Sequence, residues 1–125
     1  MRWLKPRPLR SGDALRLIAP SGPFDREAFD RGLARVSTRY KPLVERRLFA
    51  SARYLAGADS VRLEGLSQAL SDPDAHGILV ARGGYGAMRL LPMLSLPPGR
   101  PPLLMGFSDV TALHCLFQTH GRMAP

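Results

Sequence analysis

The residues best placed to do chemistry in this chain lie in Leu103–Thr111, Leu-Leu-Met-Gly-Phe-Ser-Asp-Val-Thr. A short apolar run reaches a glycine, turns at Ser108 and passes into an amphipathic helix. A strand-to-helix corner of this kind pushes a serine hydroxyl outward, where it can act as a nucleophile. Gly-Phe-Ser is only half of a Gly-x-Ser-x-Gly elbow, and serine and aspartate also favour helix N-caps, so a capping role stands beside the catalytic one. A second loop, Arg82-Gly83-Gly84-Tyr85-Gly86, opens another helix, so its backbone N–H groups can face an anion. It lacks the lysine and spacing of a P-loop and the full dinucleotide fingerprint. Its other reading is a tight turn that needs positive φ.

Both loops follow consecutive strands, and in open α/β sheets ligands bind at the carboxyl ends of strands. Ser108 can then attack a carbonyl while the N–H groups of Gly84 and Asp109 bind the oxyanion. Arg82 and Gly83 are the expected substrate contacts. Arg82 suits a substrate carboxylate, or an acidic group on another domain. Ser21, in Pro20-Ser21-Gly22-Pro23, belongs to the same sheet end, where it can line the pocket or serve the turn.

A nucleophilic serine needs a base, and usually a third group to orient it. The three histidines do not supply one. His114 follows Ser108 on the same helix by more than one turn and points elsewhere. His76 precedes a strand at its amino end, and His120 follows the last helix. No intact triad is expected within residues 1–125.

The elements that must position these loops alternate short apolar runs with helical patterns. This predicts an open, mainly parallel α/β sheet with flanking helices, Rossmann- or flavodoxin-like. Strands are expected at Ala14–Ala19, Gly77–Ala81 and Leu103–Gly106, with a weaker one at Leu43–Phe49 whose Glu-Arg-Arg centre suggests exposure. Asp25 caps a helix carrying Phe29, Leu33 and Val36, and Phe24 and Phe29 form a hydrophobic staple. Asp59 or Ser60 opens a second helix with Leu63, Leu66 and Leu70 on one face; it stops at Asp72-Pro73. A short helix runs to Leu91, and a last one over Asp109–Gln118.

At 125 residues with 45% hydrophobic content, the chain suits one globular domain with a modest core. Its apolar runs are strand-sized, which argues against a membrane span. The basic start, Met1–Pro8, lacks the apolar block of a signal peptide. One cysteine, Cys115, cannot make an internal disulfide, so a cytoplasmic location is expected. The net charge of +8 rests mostly on scattered arginines without a basic run or stacking motif, which argues against nucleic acid and for an anionic small substrate or acidic partner domain. No metal or cofactor is expected.

Leu17–Pro23 (Leu-Ile-Ala-Pro-Ser-Gly-Pro), Arg53–Gly57 (Arg-Tyr-Leu-Ala-Gly), Ala81–Ala87 with Arg89–Pro92, and Gly106–His114 occur in order. Together they resemble the amino-terminal domain of the L,D-carboxypeptidases, the serine peptidases of the LD-carboxypeptidase A and microcin-immunity type. The resemblance implies release of terminal D-Ala from murein tetrapeptide during cell-wall recycling, by a Ser-His-Glu triad and an acyl-enzyme. Ser108 matches the nucleophile, and Gly84 and Asp109 match the oxyanion amides. The glutamate and histidine belong to a carboxy-terminal domain expected to be absent from residues 1–125, so this chain alone is expected to be inactive. A second branch of that family acts on nucleotide-peptide antibiotics. A non-catalytic module that holds an anionic ligand on Arg82–Gly86 is the alternative from another class. An apolar face left without its partner domain makes a homodimer an expectation.

Overall fold

The computed structural model describes residues 3–122. The ends at 1–2 and 123–125 lie outside the described residues. Four short strands form one parallel sheet: β1 (Ala14–Ile18), β2 (Lys41–Leu43), β3 (Gly77–Val80) and β4 (Leu103–Met105), in the order β2-β1-β3-β4. The helices are α1 (Arg26–Ser37), α2 (Asp59–Ser71), α3 (Ala87–Leu90) and α4 (Thr111–Thr119), with 3-10 turns at Arg46–Phe49, Leu91–Met93 and Ser108–Val110. The expected open parallel α/β sheet is what forms.

Register and pleat decide where the core sits. Ile78 pairs with Leu104 on one side and Arg16 on the other, so Ile18, Ile78 and Leu104 share a face. That face packs Leu66, Ala69 and Leu70 of α2, Leu90 of α3, and Leu113 and Phe117 of α4. These helices carry apolar residues three or four apart, which puts them on one side. The opposite face holds Leu17 and Leu79, and α1 covers it loosely: Phe29, Leu33 and Val36 line an open hollow of about 470 Å³ with them.

α1 begins as its sequence dictates. The carboxylate of Asp25 accepts the Ala28 N–H at 2.8 Å, and the rings of Phe24 and Phe29 meet at 4.9 Å. Phe49 closes on both rings, and the Arg26 guanidinium lies 3.8 Å from its centroid.

The placement of the second strand is corrected. The strand expected at Leu43–Phe49 lies earlier, at Lys41–Leu43, and Arg46–Phe49 is a 3-10 turn. Lys41–Leu43 pair with Ala14–Arg16 on the sheet edge, where Pro42 needs no donor on its open side. The charged centre turns away because Glu45 pairs with Arg16 and Arg47, while Leu48 drops into the interior. The second helix does begin at Asp59, but Ala58 occupies the cap position and the Asp59 carboxylate turns to Arg62 and Arg89.

Candidate active site

Three loops meet at the carboxyl ends of the strands. Residues 20–23 follow β1, 81–86 follow β3, and 106–109 follow β4. Gly22 N–H donates to the Gly83 carbonyl at 3.0 Å, which joins the first two loops directly. A Cβ on Gly83 would lie 3.0 Å from Ser108 Cβ and 3.2 Å from the Phe107 carbonyl oxygen. Only a glycine lets the second and third loops come this close.

Ser108 has φ +62°, one of two non-glycine residues with positive φ among the described residues. An L-residue in the left-handed region costs about 1–2 kcal/mol, so the surroundings must enforce the corner. Val110 does part of this: it is fully buried, and its methyl groups stand 2.9 and 3.0 Å from where a Gly106 Cβ would be. The serine is exposed, and its hydroxyl makes no hydrogen bond among the described residues. An N-cap residue has extended φ and ψ and accepts an N–H two or three residues on. Ser108 does neither; Phe107, extended at φ −146°, opens the turn.

Gly84 and Gly86 hold φ +106° and +127°, so the glycine loop is a tight turn whose backbone only glycine adopts easily. Gly84 is exposed beside Gly22, whose Cα lies 3.5 Å from a Cβ built on it. Gly83, an expected substrate contact, is buried against Ser108. Arg82 is exposed and donates to the Pro23 carbonyl at 2.6 Å; it makes no ion pair among the described residues. Ser21 is fully buried and donates its hydroxyl to Asp109 Oδ2 at 2.5 Å, so its side chain faces the protein rather than an open pocket.

Two groupings lie outside what sequence reasoning reaches. The Asp109 carboxylate also accepts the Ala87 N–H at 2.9 Å, at the start of α3. Arg62 is buried, and it donates to the carbonyls of Gly57 (3.1 Å), Pro20 (2.7 Å) and Gly86 (2.8 Å) and pairs with Asp59. Asp59 in turn takes a two-pronged contact from Arg89 at 3.0–3.1 Å. Those hydrogen bonds from Arg89, aided by its charge and that of Arg62, hold the Asp59 carboxyl below the usual carboxylate range. A charged residue on the largely apolar inner face of α2 is the available signal for Arg62.

The histidines stand apart from Ser108. His76 lies at the amino end of β3, its N–H bonded to Ala14 and its ring 3.6 Å from Asp13. His114 turns its ring to the Leu104 carbonyl at 3.2 Å, and His120 bonds back to the Leu116 carbonyl at 2.9 Å. Phe107, beside the serine in sequence, is 80% exposed, and the exposed rings of Tyr54 and Tyr85 lie tilted to each other with centroids 6.0 Å apart. Among the described residues no cluster of three metal-ligating side chains forms, and no helix is long and apolar enough to cross a membrane.

The LD-carboxypeptidase N-terminal domain pattern matches residues 15–124. A Streptomyces coelicolor protein named as a carboxypeptidase is 36% identical over 97% of this chain and 44% of its own length. The murein tetrapeptide carboxypeptidase of Pseudomonas aeruginosa is 36% identical over 84% of this chain and 36% of its own length. Among solved structures, an MccF-like protein from Bacillus anthracis superposes with a TM-score of 0.84 at 26% identity, over 94% of this chain and 38% of that one. The chain thus spans less than half the length of these relatives. It belongs to the LD-carboxypeptidase family and corresponds to the N-terminal domain of that family.

Proposed function

We propose that this chain is the nucleophile-bearing part of a serine L,D-carboxypeptidase that releases terminal D-Ala from murein tetrapeptide. The observation that carries the reading is the Ser108 corner: an exposed serine at φ +62° at the end of a parallel strand, pressed against Gly83. A serine held so, with its hydroxyl unclaimed among the described residues, is arranged to attack. Its oxygen adds to the carbonyl carbon linking the diamino acid to D-Ala. The N–H groups of Gly84 and Asp109 then stabilise the oxyanion, and collapse expels D-Ala to leave an ester on Ser108. Water hydrolyses that ester.

The proton must move to a base, and the three histidines are engaged elsewhere. A histidine and a glutamate from outside residues 1–125 complete the set, and the apolar rim of Tyr54, Tyr85 and Phe107 is where that part of the fold packs. Arg82, exposed and bonded to the Pro23 carbonyl, supplies a cation for the substrate carboxylate or for an acidic group of the covering domain. The enzyme acts in the cytoplasm, and the exposed apolar surface also suits a homodimer. The MccF-like structural relative favours a second reading, an immunity-type peptidase for nucleotide-peptide antibiotics. Incubating the full-length gene product with murein tetrapeptide and with an aminoacyl-nucleotide substrate separates the two. Release of D-Ala, lost in Ser108→Ala, supports the first; cleavage of the aminoacyl-nucleotide alone supports the second.

A further inference from the structure

We propose that the Arg62 guanidinium and the Asp109 side-chain carboxylate form a two-ended clamp that sets the glycine loop against Ser108. The inference rests on the reading of Ser108 as nucleophile and adds a role for side chains outside the reacting atoms. Arg62 takes the carbonyls of Pro20 and Gly86 at 2.7 and 2.8 Å through one nitrogen, Nη1. Asp109 Oδ2 takes the Ser21 hydroxyl and the Ala87 N–H at 2.5 and 2.9 Å. Residues 20 and 21 are consecutive, as are 86 and 87. Each loop is therefore held at two adjacent residues, by a cation on one side and an anion on the other.

The geometry leaves the glycine loop little freedom. Its far end is fixed at Gly86 and Ala87, and its near end by the Gly22 N–H to Gly83 carbonyl bond. Gly84, whose N–H is the proposed oxyanion donor, lies between the two. The anion of the clamp belongs to Asp109 itself, the residue after Ser108 and the second oxyanion donor. Both donors and the nucleophile are thereby referred to one carboxylate. Gly86 matches the device, because a Cβ there would stand 2.7 Å from Arg62 Nη1. Charge-assisted bonds are shorter and stiffer than neutral ones, which suits a frame that must keep donors on target. Arg62 and Asp109 are positioning residues: neither side chain touches the reacting atoms.

The test uses the full-length gene product with Ser21→Ala, which removes one hydroxyl, and Asp109→Asn, which removes the charge and keeps the shape. Active sites are counted by acyl-enzyme burst, so that misfolded protein is excluded. The clamp predicts that kcat for D-Ala release per counted site falls by about tenfold or more, with KM within about twofold, since misplacement of the reacting groups acts on the transition state. Unchanged kcat per site in both variants overturns it. Hydrogen exchange followed by mass spectrometry tests the clamp without any substrate. Peptides covering 82–90 should exchange at least about tenfold faster in Ser21→Ala, while those of β1 and β3 hold. If these rates stay at wild-type values, the clamp is refuted even if Ser108 is the nucleophile. A wild-type protein that releases no D-Ala refutes the murein-tetrapeptide reading, and the exchange experiment still decides the clamp.

Discussion

The hydroxyl of Ser21 donates to the carboxylate of Asp109 at 2.5 Å, across 88 residues of sequence. This bond joins the loop after the first strand to the loop after the last, and Ser108 stands next to its acceptor. The serine keeps its place only as firmly as these loops are held together.

The backbone of Ser108 carries strain independent of its hydroxyl. Ser108→Ala keeps the Cβ and hence the strain, whereas Ser108→Gly relieves it. The glycine variant should be more stable than the alanine variant by about 1 kcal/mol, the cost of a Cβ in the left-handed region. Thermal unfolding of the two should differ by roughly 3–5 °C. Equal midpoints would remove the strained corner.

Gly83→Ala places a methyl group 3.0 Å from Ser108 Cβ and 3.2 Å from the Phe107 carbonyl oxygen. Both are close to backbone, so the serine corner must shift. D-Ala release by the full-length gene product should fall by at least about tenfold, because misplacement of a reacting group by a fraction of an ångström is enough. Far-ultraviolet circular dichroism should stay unchanged.

Arg62→Met leaves the Gly57, Pro20 and Gly86 carbonyls without their donor in a buried position. Losing one partner of such a network exposes the full desolvation cost of the others, so denaturant unfolding should show a loss of about 3 kcal/mol or more. Arg89→Met acts on the exposed side of the same Asp59, where solvent screens the pair, and should lower the unfolding midpoint far less than Arg62→Met.

Acid should unfold the protein through its paired carboxylates. Asp72 is held below its usual value first by the Asp74 N–H and then by the hydrogen bond and charge of Arg16; Asp13 is held down by the Arg10 N–H and by Arg7. A carboxyl with a depressed folded value stabilises fully above the unfolded value of about 3.9, and that stability is lost as pH falls through the folded value. Urea midpoints should therefore be flat from pH 5 to 7 with respect to these groups and fall below about pH 4. Arg16→Met should shallow that fall by removing one of the groups that lower Asp72.

Much of this fold is legible in the sequence because its signals are local. Asp25, Phe24 and Phe29 fix the start of α1 within a few residues, and the buried runs of β3 and β4 are bounded by glycine and proline. β2 escapes such reading because three residues with a proline carry no periodicity; only pairing with Ala14–Arg16 makes Lys41–Leu43 a strand. The Ser108 corner and the glycine loop are legible as motifs, since glycine marks where backbone must pass close. The Asp109 carboxylate and Arg62 are not, because their partners lie 22 to 88 residues away from Asp109 and up to 42 from Arg62. Nothing in the local sequence tells which carbonyls a buried arginine will meet.

Trapping the acyl-enzyme decides whether Ser108 is the nucleophile. The full-length gene product is mixed with murein tetrapeptide, quenched in acid within the first turnover, digested and analysed by mass spectrometry. If Ser108 attacks, the peptide containing Gly106–Val110 gains the mass of the tripeptide acyl group, fragmentation places it on Ser108, and Ser108→Ala shows neither adduct nor D-Ala. D-Ala released at wild-type rate by Ser108→Ala, or an adduct on another residue, would contradict that assignment.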